Sequence, residues 1–236
     1  MLDGFGEAFR LLLSFDADLV EIVLLSLRVS LTAVVFSALI GLPLGALLAV
    51  IKFPGRQVLV VLINAFMGLP PVVVGLIVYL LLSRSGPFGV FGLLFSPTAM
   101  IIAQTMLITP IVASLTRQAI SDLWVEYRDL LHSFDATPWQ IMKTLLWEGR
   151  LSMMTGILAG FGRAIAEVGA VMIVGGNIDH ATRVLTTAIA LETSKGDLGL
   201  ALGLGIVLVG IAVVINILTL SVGHAIGRQS AQGQLL

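Results

Sequence analysis

The sequence predicts an all-α protein, a polytopic bundle of transmembrane helices, and three observations carry that prediction. Hydrophobic residues make up 58% of the 236 and charged residues only 11%, against roughly 25% charged in a soluble domain. The apolar residues fall in blocks longer than the roughly 18 that a spanning helix needs, not in the short alternating runs of a barrel. The net charge is −1, with basic residues spread along the chain, which argues against nucleic acid as a partner. Cysteine is absent, so there is no disulfide framework, thiolate metal site or cysteine nucleophile.

Residues 1–19 form an N-terminal segment that carries Asp3, Glu7, Asp16 and Asp18 where a secretory signal would be basic. Phe5, Phe9, Leu12, Leu13 and Phe15 suit either a helix lying on a membrane surface or a disordered tail. The transmembrane domain, 20–224, divides into spans at about 20–51, 57–83, 97–117, 151–176 and 198–224, and a tail follows at 225–236. The first span is about 45 Å long at 1.5 Å per residue, so it tilts or protrudes, and Arg28 snorkels. In the second, Gly68, Leu69, Pro70 and Pro71 remove backbone donors and force a kink or a break. Pro43 and Pro110 act likewise in the first and third spans, and Gly68, Pro70, Pro71 and Pro110 are the candidate gate or hinge residues.

Lys52 and Arg56 follow the first span, and Arg117, Arg128, Lys143 and Arg150 surround the connection between the third and fourth. The bias of basic residues places those connections and the C-terminus in the cytoplasm and the N-terminus outside, with the Asn177–Asp197 loop.

The polar stretch 122–150 reads as a cytoplasmic helical elbow. Thr137, Pro138 and Gln140 make a helix start: Thr caps free amides, Pro fits the first turn, and Gln completes a capping box. Trp139, Met142 and Leu146 recur at helical spacing on that helix, an apolar stripe to be covered by the chain's own helix ends or by a partner subunit.

Within the fourth span, Arg163 and Glu167 stand four apart and so on one helix face. Charges in lipid face a cavity, a bundle interior or each other, so the two are either pathway residues or a structural pair. Gly175, Gly176 and Asn177 end that span with amides able to meet an anion, or simply stop the helix. Gly156 with Gly160, and Gly199 with Gly203, have the spacing of close helix packing. His132, His180 and His224 lack a second ligand at metal spacing, so no metal site is expected.

The elbow resembles the coupling loop of type I ABC importer permeases, which carries an E-A-A, Gly, L-P pattern. Asp129 falls at the acidic position, Leu130 and Leu131 at the two alanines, and Asp135 at the glycine, next to Ala136 and Thr137; Trp147 and Glu148 stand in place of Leu-Pro. The segments NAFMGLPPVVVGLIVYLLLSRSGP, GFGRAIAEVGAVMIVGGN and TRVLTTAIALETSKGDLGLALGLG resemble the tungstate-transport branch of that family, along nearly the whole chain. The resemblance implies the type I importer permease fold, a second copy of the chain, a cytoplasmic ABC ATPase dimer and an extracytoplasmic oxyanion-binding protein, with lipid around them. Read from the residues themselves, Arg163, Glu167, Gly175, Gly176 and Asn177 are the translocation-pathway candidates, Arg163 attracting an oxyanion and Glu167 holding it in place and weakening its grip. The resemblance gives Asp129, Asp135, Ala136, Thr137, Trp139 and Met142 to ATPase coupling. The chain has no G-x-x-x-x-G-K-[ST] loop, so it is expected to be a transport subunit rather than an enzyme and to bind no cofactor, ATP and Mg sitting on the partner. Permeases for molybdate or another ABC substrate fit the same residues, as does, without a repeated half, an ion-driven secondary transporter. An intramembrane enzyme has only Glu167 as a buried acid to work with.

Overall fold

The computed structural model describes residues 17–233, and the 1–16 part of the N-terminal segment lies outside the described residues. The helices are α1 (Ala17–Val50), α2 (Arg56–Phe66), α3 (Pro71–Leu82), α4 (Pro97–Ser133), α5 (Pro138–Glu148), α6 (Arg150–Ile165), α7 (Gly169–Gly175), α8 (Leu185–Lys195) and α9 (Leu198–Gly233). Among the described residues α1, α4 and α9 are each long and apolar enough to cross a membrane; α2 with α3 and α6 with α7 pass together as pairs bent by 104° and 58°, which makes five spans where each bent pair counts as one and three otherwise.

The chain contributes to two compact units, one from the described parts of Met1–Ala33, Pro70–Met106 and Gly162–Ile215, the other from Val34–Leu69, Leu107–Phe161 and Asn216–Leu236. The first unit packs Leu185 and Ala188 of α8 against Leu204 of α9, with Leu19, Ile22 and Val23 of α1 alongside. Its α3 and α7 touch almost backbone to backbone: a Cβ on Gly75 would lie 2.8 Å from Ala170 Cα. The stretch 177–197, expected as an outer loop, contains α8, whose first turn from Leu185 to Ala188 is buried. At 11 residues α8 is too short to span, and its charged C-terminal half masks its apolar start.

In the second unit Ala46 and Ala49 of α1, Ile120 and Leu131 of α4, Ile141, Met142 and Leu145 of α5, and Met153 of α6 make one buried cluster. Gly156 and Gly160 set α6 against Leu115, Ile108 and Val112 of α4, the close packing their spacing calls for. Gly41 and Gly45, four apart on α1, do the same, and a Cβ at Gly45 would meet Ala113 O at 2.5 Å. Because the obstacle is backbone, Gly45→Val must push the helices apart and is expected to cost about 1–3 kcal/mol, read as a lower Tm of the purified protein.

Pro43 and Pro110 do not break their helices; α1 and α4 each run on through the proline. The run at 67–70 does break. Gly68 N and Leu69 N bond back three residues to Ala65 O and Phe66 O, at 3.1 and 3.2 Å. Pro70, with ψ 124°, then starts α3, and Pro71 sits where a missing N–H costs nothing. α4 continues past the expected end of its span at 117, so the elbow is its last turns plus α5. The Thr137 capping box forms, with Gln140 N to Thr137 Oγ1 at 3.4 Å and Thr137 N to Gln140 Oε1 at 2.8 Å. Asp135, aligned with the pattern's glycine, has φ 49°, the left-handed region where glycine is free and aspartate tolerated.

Candidate functional site

The fourth span is broken between Ile165 and Gly169, at a depth where freed backbone groups must find partners inside the protein. Several of them have one. Gln104 Nε2 donates to Ala164 O at 3.0 Å, and the Thr186 hydroxyl donates to Glu167 O at 2.8 Å. Glu167 Oε1 accepts from Ala170 N at 3.0 Å, which caps α7 as an N-cap carboxylate does. Glu167 Oε2 lies 3.4 Å from Arg163 Nη1, and the two side chains are 3% and 35% exposed.

The expectation of one continuous helix carrying both charges is therefore corrected: Arg163 closes α6, while Glu167 stands in the break. The carboxylate takes the amide that a backbone carbonyl would take in an unbroken helix, and the pair survives because the bend keeps the residues adjacent. Arg163 reaches the surface of its unit, and Glu167 is its buried anchor. Beside the break lies a cavity of about 10 Å³ lined by Ser30, Gln104, Glu167 and Thr186 among others, the scale of a single water. Gln104 Oε1 is buried there without a protein partner.

Sequence reasoning missed Gln104 and Thr186. A lone amide in the apolar run before Pro110 was the available signal, since such a group in a span needs a partner.

The glycine turn closes α7. Gly176 caps it at φ 75° with its N–H on Met172 O, and Asn177 follows at φ 51°. Thr182 Oγ1 donates to Gly175 O at 2.6 Å and accepts from Ile178 N at 2.9 Å. The amides of Gly176 and Ile178 are thus engaged within the turn rather than held out for an anion.

Beyond this turn His180 Nδ1 meets Glu21 Oε2 at 2.9 Å, a pair 159 residues apart that spacing alone cannot reveal. Asp18 joins them, the three ligand atoms lying within 4.8 Å of one another; all three are exposed, and no further feature there points to an ion. The Glu21 hydrogen bond, then the charges of Asp179 and Glu21, raise the His180 pKa above its usual 6.5. The imidazolium pair is therefore fully present below pH 6.5 and lost as pH rises through the raised value. Titration of the His180 ring signal by NMR is expected to show a midpoint above 6.5, returning toward the ordinary value in Glu21→Gln.

At the elbow, Asp129, Asp135 and Thr137 are exposed and Ala136 half-buried. The expected stripe divides: Trp139 is 72% exposed, whereas Met142 is buried in its own unit's core. Val125, Leu130 and Phe134 add exposed apolar surface to the same elbow. Gly68 and Pro70 are exposed at the second-span break, Pro71 is half-buried, and Pro110 is buried inside α4.

Residues 41–229 match the model of the family described as binding-protein-dependent transport system inner membrane component. A probable anion ABC transporter permease protein of Haloferax volcanii is 42% identical over 85% of this chain and 88% of its own length. The tungstate uptake system permease protein TupB of Peptoclostridium acidaminophilum is 40% identical over 91% of this chain and 94% of its own length, and that of Campylobacter jejuni is 37% identical over 93% and 92%. More distant is the molybdenum transport system permease protein ModB of Escherichia coli, 29% identical over 77% of this chain and 83% of its own. Three to five apolar spans and this match over most of the chain lead to one conclusion: the chain belongs to the inner-membrane components of binding-protein-dependent ABC importers, multi-pass permease subunits that work with an ATPase and a substrate-binding protein and carry out no catalysis themselves.

Proposed function

We propose that this chain is the channel-forming permease of an importer that moves tungstate inward across the inner membrane, as a homodimer fed from outside by an oxyanion-binding protein and driven by a cytoplasmic ATPase dimer. The observation that carries the substrate is likeness along nearly the whole chain to permeases of tungstate uptake. Molybdate, of the same charge and shape, is the second reading and has a molybdenum permease relative behind it, as sulfate has sulfate permease relatives of like identity.

The second-span break supports the homodimer. Gly68 and Pro70 are exposed in the single chain, and irregular backbone at membrane depth persists only where protein covers it or a water-filled path runs past it. A second copy supplies both conditions. Arg163, half exposed and anchored by Glu167, is the group that draws a dianion into that path, and Glu167 offsets the attraction enough for release. Gly175, Gly176 and Asn177 stop α7 on the outer side. The basic connections put the elbow and C-terminus in the cytoplasm and the N-terminus outside. There the ATPase grips the exposed Asp129, Phe134, Asp135 and Thr137 and the half-buried Ala136, with Met142 fixing α5 to the bundle. ATP and Mg stay on that partner, and this chain holds no cofactor.

Gly68, Pro70 and Pro71 form the hinge, and Pro110 stiffens the helix beside it. Pro70→Ala is expected to slow uptake by about 2- to 30-fold at unchanged membrane abundance; full-rate uptake would remove the hinge role. Proteoliposomes holding the chain with its ATPase and binding protein test the whole proposal: tungstate entry should need ATP. Entry driven by an ion gradient without ATP would establish a secondary transporter instead.

A further inference from the structure

We infer that the trough between α1 and α6, with the adjoining face of α5, is a binding site for one anionic phospholipid of the cytoplasmic leaflet, its acyl chain in the trough and its phosphate at Arg150 and Lys143. The inference rests on the cytoplasmic placement of the elbow given above.

The trough holds about 580 Å³ between apolar side chains that include Val35, Leu39, Leu42, Met153 and Ile157, and Arg150 is the one charged residue among the described residues lining it, a volume within the range of small-molecule sites. Val35 is 56% and Leu39 66% exposed, so in a membrane they face acyl chains. From Arg150 to Ile157 the wall runs about 10 Å into the span. A second cavity, of about 630 Å³, shares Pro43 and Leu146 with the trough and is lined by Trp139, Lys143 and Trp147.

These last three recur every fourth residue along α5 and so share one face; Trp139 and Trp147 are 72% and 67% exposed. Exposed tryptophans with a basic residue between them are the side chains that settle at a membrane–water boundary. Arg150 is held at the mouth: its Nη1 donates to Trp147 O at 2.8 Å, and its guanidinium stands 4.9 Å from the centre of the Trp147 ring.

Among the described residues the two cavities are lined by two basic residues and no carboxylate. Their occupant must be anionic at one end and apolar over the length of the trough. Inorganic phosphate meets only the first condition. A second copy of the chain would meet both only by carrying a carboxylate into hydrocarbon. A phospholipid meets both, and basic pockets between helices on the cytoplasmic side take anionic headgroups.

Tryptophan fluorescence of the full chain in nanodiscs of phosphatidylcholine with a minority of phosphatidylglycerol tests this, the bromine label being placed on the acyl chains of one lipid and then the other. Quenching should show phosphatidylglycerol enriched about fivefold per basic residue over its bulk fraction. Lys143→Gln with Arg150→Gln should abolish the enrichment, and Lys143→Arg with Arg150→Lys should keep it. Ala38→Phe, which fills the trough and spares both bases, should abolish it too. Equal quenching by the two lipids would overturn the inference. So would enrichment that survives Ala38→Phe, which would mean diffuse surface charge, or enrichment lost on adding the ATPase subunit, which would give the face to that partner. Failure of the permease reading shows separately, as absence of tungstate uptake by the unaltered chain.

Discussion

Replacing Arg163 by alanine lowers ATP-driven tungstate uptake by at least about tenfold, the equivalent of ~1.4 kcal/mol or more, while the protein still inserts and folds. Among the described residues Arg163 is the one cation at the break of the fourth span, and its side chain is 35% exposed, the condition for meeting a solute. Alanine removes the positive end of the pair and leaves Glu167 still bonded to Ala170 N, so the cap on α7 persists and the path turns net negative, which repels a dianion. Arg163→Lys keeps the charge at a point rather than a fork and should recover part of the rate. Uptake in proteoliposomes at matched protein content measures both; full-rate uptake by the alanine variant would reduce Arg163 and Glu167 to a structural pair.

Glu167→Ala is expected to lower stability by about 1–3 kcal/mol, because it leaves Ala170 N without its acceptor and takes the partner from Arg163, whose charge is 35% exposed and so partly hydrated. The loss has two sources that a second variant separates. Glu167→Gln keeps an oxygen for Ala170 N and so keeps the cap, worth about 1 kcal/mol, while losing the charge. Its Tm should fall between those of the native protein and Glu167→Ala. Combining Glu167→Ala with Arg163→Ala removes the stranded cation and should return part of the loss. If the single and double variants melt alike, the pair contributes nothing and the cap carries the whole effect.

The helical class was legible because lipid leaves one solution for long apolar blocks, and block length marks the three unbroken long helices and the two bent pairs. The second-span break was legible too, since Pro70 and Pro71 remove donors wherever they occur. The fourth-span break was not. No proline marks it; it depends on Gln104 and Thr186, respectively 60 and 19 residues from the carbonyls they satisfy. Arg163 and Glu167 were found by their charge, and their adjacency by spacing, but the helix assumed to join them stops at Ile165. The α1–α4 contact through Gly41 and Gly45 was hidden because Pro43 between them read as a kink rather than as part of a continuous packed helix. The capping box at Thr137 was read correctly because every participant lies within four residues. Contacts closed within one turn can be read from the chain. Those that only the bundle brings together, such as His180 with Glu21, cannot.

The measurement that tests the central claim most directly is the tungsten, molybdenum and sulfur content of cells lacking this chain, after growth on tungstate, molybdate and sulfate, with and without restoration of the unaltered chain. The account predicts loss of tungsten accumulation, restored by the native chain and not by Arg163→Ala. Unchanged content of all three elements would contradict it and leave the permease to carry some other cargo.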